Sequence, residues 1–108
     1  MLENKYQAKL IKKLQVMFPD CVVLKNDSGY LQGIPDLVIL YQDKWAMLEA
    51  KADENAPMRP NQPYYVRVLN EMSFAAFIYP SNEEEVLSAL QRSFETRSSG
   101  RTRLPKRQ

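Results

Sequence analysis

The sequence predicts a single α/β domain with the element order helix, three strands, helix, strand, helix. Apolar residues at three- and four-residue spacings mark the first helix, and short apolar runs between polar loops mark the strands. A length of 108 residues allows one hydrophobic core, and a hydrophobic fraction of 44% is typical of globular proteins. We therefore expect one folded domain rather than a disordered chain.

The first half of the chain is predicted to hold one helix and three strands. An amphipathic helix over residues 2–18 ends before Pro19, and its apolar face consists of Leu2, Tyr6, Leu10, Leu14 and Met17. A strand over residues 21–25 and the polar loop NDSGYLQG follow. Two further strands, over residues 34–40 and 45–51, form a hairpin that turns at Gln42-Asp43.

The second half is predicted to hold a helix, a strand and a last helix. Pro60 suits the first position of a helix that runs to about Glu71, because proline is favoured at the first helical residue. The run FAAFIY forms a fourth strand, which Pro80 closes. The segment SNEEEVLSALQRSF forms the last helix, with Ser81 or Asn82 as its cap.

Charge divides the chain into a domain at residues 1–94 and a flexible basic tail at residues 95–108. From Glu95 onward there are five basic residues and one acidic residue, a net charge of +4. The whole chain carries +2, so residues 1–94 sum to −2. The tail has no apolar period, and two interpretations stay open: an arm that binds phosphates, or a solvated tail.

Composition excludes several function classes. The chain has no histidine, which rules out Ser-His-Asp triads, His-ligated zinc and nucleases built on a catalytic imidazole. The single cysteine, Cys21, fits a reducing compartment. No apolar run approaches the roughly 20 residues of a membrane span, and the N-terminus lacks a signal-peptide pattern. We therefore expect a cytoplasmic protein without a membrane segment.

Three charged residues stand inside the predicted hairpin. If Gln42-Asp43 is the turn, Asp36 lies opposite Glu49, and Lys51 follows two residues later on the face of Glu49. Directly opposed side chains have Cβ atoms about 4.5–5.5 Å apart, so the two carboxylates repel each other. A hard divalent cation would relieve this repulsion.

Each residue also has a plainer explanation. An aspartate before a strand is often a turn residue, and a glutamate and lysine two apart on a strand often form a solvent-facing ion pair. Their arrival at one end of otherwise apolar strands favours a metal site.

The motif GIPD at 33–36, followed by EAK at 49–51, resembles the signature of the PD-(D/E)XK nucleases. The element order matches that family's restriction-endonuclease-like αβββαβ core, a mixed four-stranded sheet flanked by helices, in which the fourth strand is parallel. The segment RPNQPYY at 59–65 is similar to stand-alone VRR-NUC nucleases, many from phages and prophages, which pair as homodimers akin to Holliday junction resolvases. The resemblance covers roughly residues 3–90.

The resemblance implies a metal centre. Asp36 and Glu49 would be metal ligands, with the backbone carbonyl of Ala50 as a further ligand. Glu3 matches an acidic residue that many members carry on the first helix and direct at the metal. The expected ion is Mg²⁺, for which Mn²⁺ would substitute, and no small-molecule cofactor is expected.

The resemblance also implies roles for a lysine and a glutamine. Lys51 would position the attacking water, and Gln62 matches the family's motif glutamine, which supports the site. One motif departs from the family: Val66-Arg67 is followed by Val68, where the family's name records a second arginine.

The implied activity is that of a metal-dependent endodeoxyribonuclease, structure-specific for branched or Holliday-junction DNA, that leaves 5′-phosphates. We expect a homodimer in the cytoplasm of a bacterial or phage-infected host cell. Candidate contacts to the DNA backbone are Lys25, Ser28, Lys44, Arg59 and Arg67.

Two other function classes remain open. One is a catalytically weak or inactive DNA-binding or assembly protein on a nuclease scaffold, which the presence of Asp36, Glu49 and Lys51 argues against. The other is a protein-interaction module, which would leave the opposed carboxylates unexplained.

Overall fold

The order of elements is the predicted one. The structure, a computed structural model, describes residues 3–100, and the side chains of residues 3–95. The elements are α1 (Glu3–Met17), β1 (Val22–Lys25), β2 (Leu37–Tyr41), β3 (Lys44–Ala50), α2 (Gln62–Met72), β4 (Ala75–Ile78) and α3 (Glu83–Gly100). Among the described residues, no helix combines the length and the apolar character needed to cross a membrane.

The four strands form one mixed sheet in the order β1-β2-β3-β4. The pairs β1–β2 and β2–β3 are antiparallel, as short connections require. The pair β3–β4 is parallel, because α2 carries the chain back across the sheet between them. The prediction of a mixed four-stranded sheet is therefore confirmed.

The hairpin has the predicted register. Leu40 pairs with Trp45 and Val38 pairs with Met47. The turn is tight enough to place Gln42 at a φ of 60°, in the left-handed region. Both strands are shifted slightly from their predicted limits, and β2 begins at Leu37 rather than at residue 34.

One face of the sheet, here called the inner face, carries the hydrophobic core. Alternate residues of β2 and β3 point to this face and pack against the apolar stripes of α1 and α3. The core side chains are Tyr6, Leu10, Leu14, Phe18, Leu37, Ile39, Ala46, Leu48, Ala50, Ile78, Leu87, Leu90 and Phe94. Of the predicted apolar face of α1, Tyr6, Leu10 and Leu14 are buried and Met17 packs half-buried against the core, while Leu2 lies outside the described residues.

The opposite face, here called the outer face, is covered only in part. α2 packs over β3 and β4 and leaves β1 and β2 without a helix. As a result Val22, Leu24 and Leu40 are between 38% and 50% exposed. Val38, Met47 and Glu49 lie on this same face by strand alternation.

Two predicted helix limits, the start of α2 and the end of α3, differ from the structure. α2 begins at Gln62 and not at Pro60, because Asn61 has a φ of 72° that no helix continues through. Of the two proposed caps for α3, Asn82 serves: its carbonyl accepts the Val86 N–H at 2.9 Å. α3 then continues to Gly100, so the predicted boundary between residues 94 and 95 falls inside this helix. Residues 101–108 of the predicted tail lie outside the described residues.

Candidate active site

The carboxyl groups of Asp36 and Glu49 meet at the start of β2. The Asp36 backbone N–H donates a hydrogen bond to Glu49 Oε1 at 3.1 Å, so it bonds a side chain rather than the backbone of β3. This explains why the regular strand begins only at Leu37. On its other side Asp36 is held by β1, since its carbonyl accepts the Asn26 N–H at 2.8 Å. The two carboxyls therefore lie on a backbone that is fixed from both sides.

Both carboxyls are held in an environment that disfavours their charged forms. Burial raises the pKa of Glu49 to about 7, and the charge of Asp36 adds to this increase. Burial also raises the pKa of Asp36, with a further increase from Glu3 and opposing effects from Lys51 and Arg59. Glu49 is only 2% exposed, so few water molecules can stabilise its charge.

Gln62 connects Glu49 to Lys51. Gln62 Nε2 donates to Glu49 Oε2 at 2.9 Å, and Gln62 Oε1 accepts from Lys51 Nζ at 2.9 Å. Lys51 Nζ also donates to the Pro57 carbonyl at 3.0 Å and lies 3.7 Å from Glu49 Oε2. All three side chains are buried, with exposed fractions of 5% or less. The orientation of the Gln62 amide follows from its partners, because only this orientation gives each neighbour a complementary atom.

The loop before α2 brings Gln62 to this position. The Arg59 backbone N–H donates to Gln62 Oε1 at 2.8 Å, which places the side chain at the helix start over β3. Gly33 lies directly against this loop, at Pro60 and Asn61. A Cβ atom on Gly33 would lie 2.6 Å from Asn61 Cβ and 2.9 Å from the Pro60 carbonyl oxygen. The glycine of the GIPD motif therefore permits the loop before β2 and the loop before α2 to touch.

The structure brings the predicted site residues together. Asp36, Glu49, Lys51 and Gln62 form one connected group at one end of the sheet. Glu3, the first residue of α1, lies near enough to raise the pKa of both carboxyls. Ala50 ends β3 between Glu49 and Lys51, and its side chain is buried in the core.

The residues predicted to contact DNA do not all lie in one place. Lys25 and Ser28 are exposed beside the Asp36 segment, and exposed Arg59 lies close enough to oppose the rise in the pKa of Asp36. Arg67 is exposed on α2, where it lies 3.9 Å from Glu71 and over the ring of Tyr64.

Lys44 does not join this group. It starts β3, at the opposite end from Glu49, and only 6% of the residue is exposed. Its ammonium group donates to Gln42 and Asp43, so it is committed to the hairpin turn. Lys44 is therefore buried at the hairpin turn, apart from the exposed cations near Asp36.

Sequence reasoning missed the part that Asn26 plays at this site. Besides its backbone bond to Asp36, its side chain donates to the Pro35 carbonyl at 2.9 Å and to Met47 Sδ at 3.7 Å. The antiparallel register of β1 with β2, extended by one pair, sets Asn26 opposite Asp36. The sequence signal for this role is that Asn26 is a polar residue directly after the short strand β1.

The donor set fits a cation of the Mg²⁺ type that is shared with a substrate. Within residues 3–100, no three His, Cys, Asp or Glu side chains are grouped so that they could hold a metal ion. Mg²⁺, however, usually takes one or two carboxylates and completes its shell with water and phosphate oxygens. Each Glu49 carboxylate oxygen accepts one hydrogen bond, which leaves a lone pair on each for a cation. The mutual repulsion of Asp36 and Glu49 is the strain that such a cation would relieve.

Comparison with protein-family models, with curated proteins and with solved structures gave no match. The candidate active site offers two carboxyls at a partly open edge and a buried lysine held in place by a glutamine.

Proposed function

We propose that this chain is a metal-dependent endodeoxyribonuclease of the PD-(D/E)XK type. The observation that supports the proposal best is the group formed by Asp36, Glu49, Gln62 and Lys51, in which two carboxyls and one ammonium group meet at a single edge of the sheet. A structural ion pair has no need of the second carboxyl. A site that must bind both a cation and a phosphate does need it.

Asp36 and Glu49 would hold the metal, with the carbonyl of Ala50 and the nearby Glu3 as further candidate ligands. Mg²⁺, or Mn²⁺ in its place, supplies Lewis acidity to the phosphate and to water when it is bound there. The protein holds the Glu49 carboxylate ready for this role, because Gln62 and the Asp36 N–H fix both of its oxygens. Preorganised ligands do not have to reorient when the cation arrives.

Lys51 brings a positive charge to the edge where the scissile phosphate would lie. Its position is fixed by Gln62 Oε1 and by the Pro57 carbonyl, at 2.9 and 3.0 Å. An ammonium group held in this way stabilises charge that develops on the phosphate and orients the attacking water. Hydrolysis in line with the 3′-oxygen would leave a 5′-phosphate.

The DNA backbone would be positioned by the exposed cations near Asp36. Lys25 ends β1 and pairs with Leu37, the residue after Asp36, and Arg59 before α2 lies close enough to oppose the rise in the pKa of Asp36. Ser28 and Arg67 extend this surface along the loop and along α2. Such contacts supply affinity without sequence preference, which suits an enzyme that recognises branched DNA by its shape.

We further propose that two copies pair through the outer face. α2 forms a ridge on which Gln62 is the buried residue, while Tyr64 and Met72 are 52% and 62% exposed. The uncovered strands β1 and β2 form a trough beside it, with Val22, Leu24 and Leu40 at the surface. A two-fold axis would set the ridge of each copy into the trough of the other. Such a nuclease would act in the cytoplasm of a bacterial or phage-infected cell.

The test is a cleavage assay on four-way, flap and linear DNAs of shared sequence, with Mg²⁺, Mn²⁺ or EDTA. The proposal expects cleavage that requires the metal, products that carry 5′-phosphates, and a preference for branched substrates. Tight binding of branched DNA without any cleavage would instead support an inactive DNA-binding protein on this scaffold. If the chain neither binds nor cleaves any of these DNAs, the assignment to nucleic acid is wrong.

A further inference from the structure

A groove lies beside the two carboxyls on the outer face. It has a volume of about 430 Å³ and is lined by Asn26, Asp27, Tyr30, Leu31, Ile34 and Met47. The groove is next to the candidate active site in two ways. Asn26 is bonded to Asp36 through its backbone, and Met47 precedes Glu49 by one step on the same face of β3.

The loop that forms the outer wall of this groove is ordered by its own hydrogen bonds. Asp27 accepts the N–H of Gly29 on its side chain at 2.8 Å and the N–H of Tyr30 on its carbonyl at 3.1 Å. These bonds make two overlapping turns over residues 27–30, and 89% of Tyr30 is exposed. Among the described side chains, no aromatic ring or cation stacks on Tyr30.

The chemistry of the groove disfavours a phosphate as its occupant. Residues 26–43 contain no lysine or arginine, and Asp27 contributes a carboxyl. The remaining lining consists of an aromatic ring, a thioether and two aliphatic side chains, with the amide of Asn26 at one end. Such a surface matches a flat, apolar group with polar edges, which is the description of a nucleobase.

We propose that this groove holds an unpaired nucleobase of the DNA substrate, stacked on Tyr30, next to the phosphate that is cut. This inference rests on the proposed function and narrows its substrate class. A base inside a continuous duplex has both faces stacked and its edge paired, so it cannot enter the groove unless it is extruded. A base at a bulge, flap or junction is already free, and the groove would select DNA that offers one.

The experiment uses three oligonucleotide duplexes of the same sequence: continuous, with a one-nucleotide bulge, and with a flap. The first readout is the ratio of the cleavage rate on the bulged or flapped DNA to the rate on the continuous duplex. Tyr30→Ala should lower this ratio about 10-fold, the scale of one lost base stack, while Tyr30→Phe should keep it. Val16→Ala is the control, since Val16 is an exposed apolar residue on α1 outside the groove, and it should keep the ratio.

A second readout does not depend on cleavage. With 2-aminopurine as the unpaired base and Ca²⁺ in place of Mg²⁺, binding of the wild-type chain should quench the fluorescence of the base, and Tyr30→Ala should not. A wild-type chain that quenches but does not cut would overturn the nuclease assignment and leave the groove assignment standing. An unchanged rate ratio in Tyr30→Ala, or equal quenching by both chains, would overturn the groove assignment alone. A change in oligomeric mass in Tyr30→Ala would also overturn the groove assignment, because the groove would then be a contact between two copies of the chain.

Discussion

Gln62 Nε2 donates a hydrogen bond to Glu49 Oε2 at 2.9 Å, so the first residue of α2 holds a carboxylate on the third strand. The other end of the same amide accepts from Lys51. One glutamine therefore links the acidic and the basic part of the site. An ionised glutamate in its place could not donate to Glu49, and a lysine could not accept from Lys51.

Gln62→Ala should destabilise the fold and reduce cleavage together. The change leaves an oxygen of the buried Glu49 without its donor and removes one acceptor from Lys51, which costs about 1–3 kcal/mol in free energy of unfolding. Urea denaturation measures the loss, with Gln91→Ala, an exposed glutamine on α3, as the control. Equal stability of the two variants would mean that the Gln62 bonds contribute nothing.

Substitutions of the three charged residues should separate metal binding from chemistry. Asp36→Asn and Glu49→Gln keep the shape of the side chains but remove a charge, so Mg²⁺ affinity and cleavage should both be lost. Lys51→Ala should keep Mg²⁺ binding and lower the cleavage rate by a factor on the order of 10²–10³. Calorimetric titration with Mg²⁺ and a cleavage assay on each variant provide the comparison. If Lys51→Ala cleaves DNA at the wild-type rate, Glu49 and Lys51 form only a structural ion pair on the strand.

The metal-free protein should lose stability as the pH rises from about 4.5 to about 7. Burial raises the pKa of Glu49 to about 7 in the folded state, from an ordinary value of 4.5. Between these values the folded state keeps a proton that the unfolded chain has released, so the free energy of unfolding falls with rising pH. The raised pKa of Asp36 acts in the same direction. Urea midpoints at several pH values in EDTA measure this slope.

Two comparisons identify the source of that slope. Glu49→Gln should flatten it, and Mg²⁺ should restore stability at the upper end of the range, because the cation binds only the folded chain. The series should stay above pH 5, since Glu83 has the opposite effect below that value. Burial alone would raise the pKa of Glu83, but hydrogen bonds from Lys13 and Tyr6 lower it. A slope that persists in Glu49→Gln would show that another group titrates.

Gly33→Ala should alter the candidate active site indirectly, by shifting the loop that precedes Gln62. Gly33 has a φ of 96°, and an added Cβ would lie 2.8 Å from the Asn61 carbonyl carbon, too close for any contact. Backbone strain and overpacking should together cost about 1–3 kcal/mol and shift the loop that carries Gln62. Gly29→Ala is the control for stability, because its new Cβ would meet only the Asp27 carboxyl, with Oδ1 at 3.1 Å and Cγ at 4.0 Å. Urea denaturation of both variants and the cleavage rate of Gly33→Ala test the prediction.

The wild-type chain should behave as a dimer at micromolar concentration. Light scattering should give twice the 12.6 kDa of one chain. Leu24→Lys places a charge at the centre of the exposed strand face and should yield the mass of a single chain with the fold intact. Val16→Lys alters a residue on α1 that is 80% exposed, away from this face, and should remain dimeric. A wild-type mass of 12.6 kDa would contradict pairing.

The element order and the register of the hairpin follow from local patterns in the amino-acid sequence. The apolar spacing in α1 and the two-residue alternation in β3 are local signals, because each follows from the geometry of one element. The turn at Gln42-Asp43 then sets which residues face each other, down to Val38 and Met47. The pairing of Asp36 with Glu49 therefore follows from the turn and the alternation alone.

The surroundings of those two carboxyls follow from tertiary packing and not from local patterns. The bridge from Glu49 through Gln62 to Lys51 depends on the path of the loop before α2, and this path depends on the contact of Gly33 with Asn61. The removal of Lys44 from the surface likewise depends on packing around the hairpin turn, which no spacing of residues encodes. Periodicity reports which face of an element a residue occupies. Long-range packing sets which side chains the residue contacts on that face. Side chains far apart in the sequence come into contact only once the chain has folded.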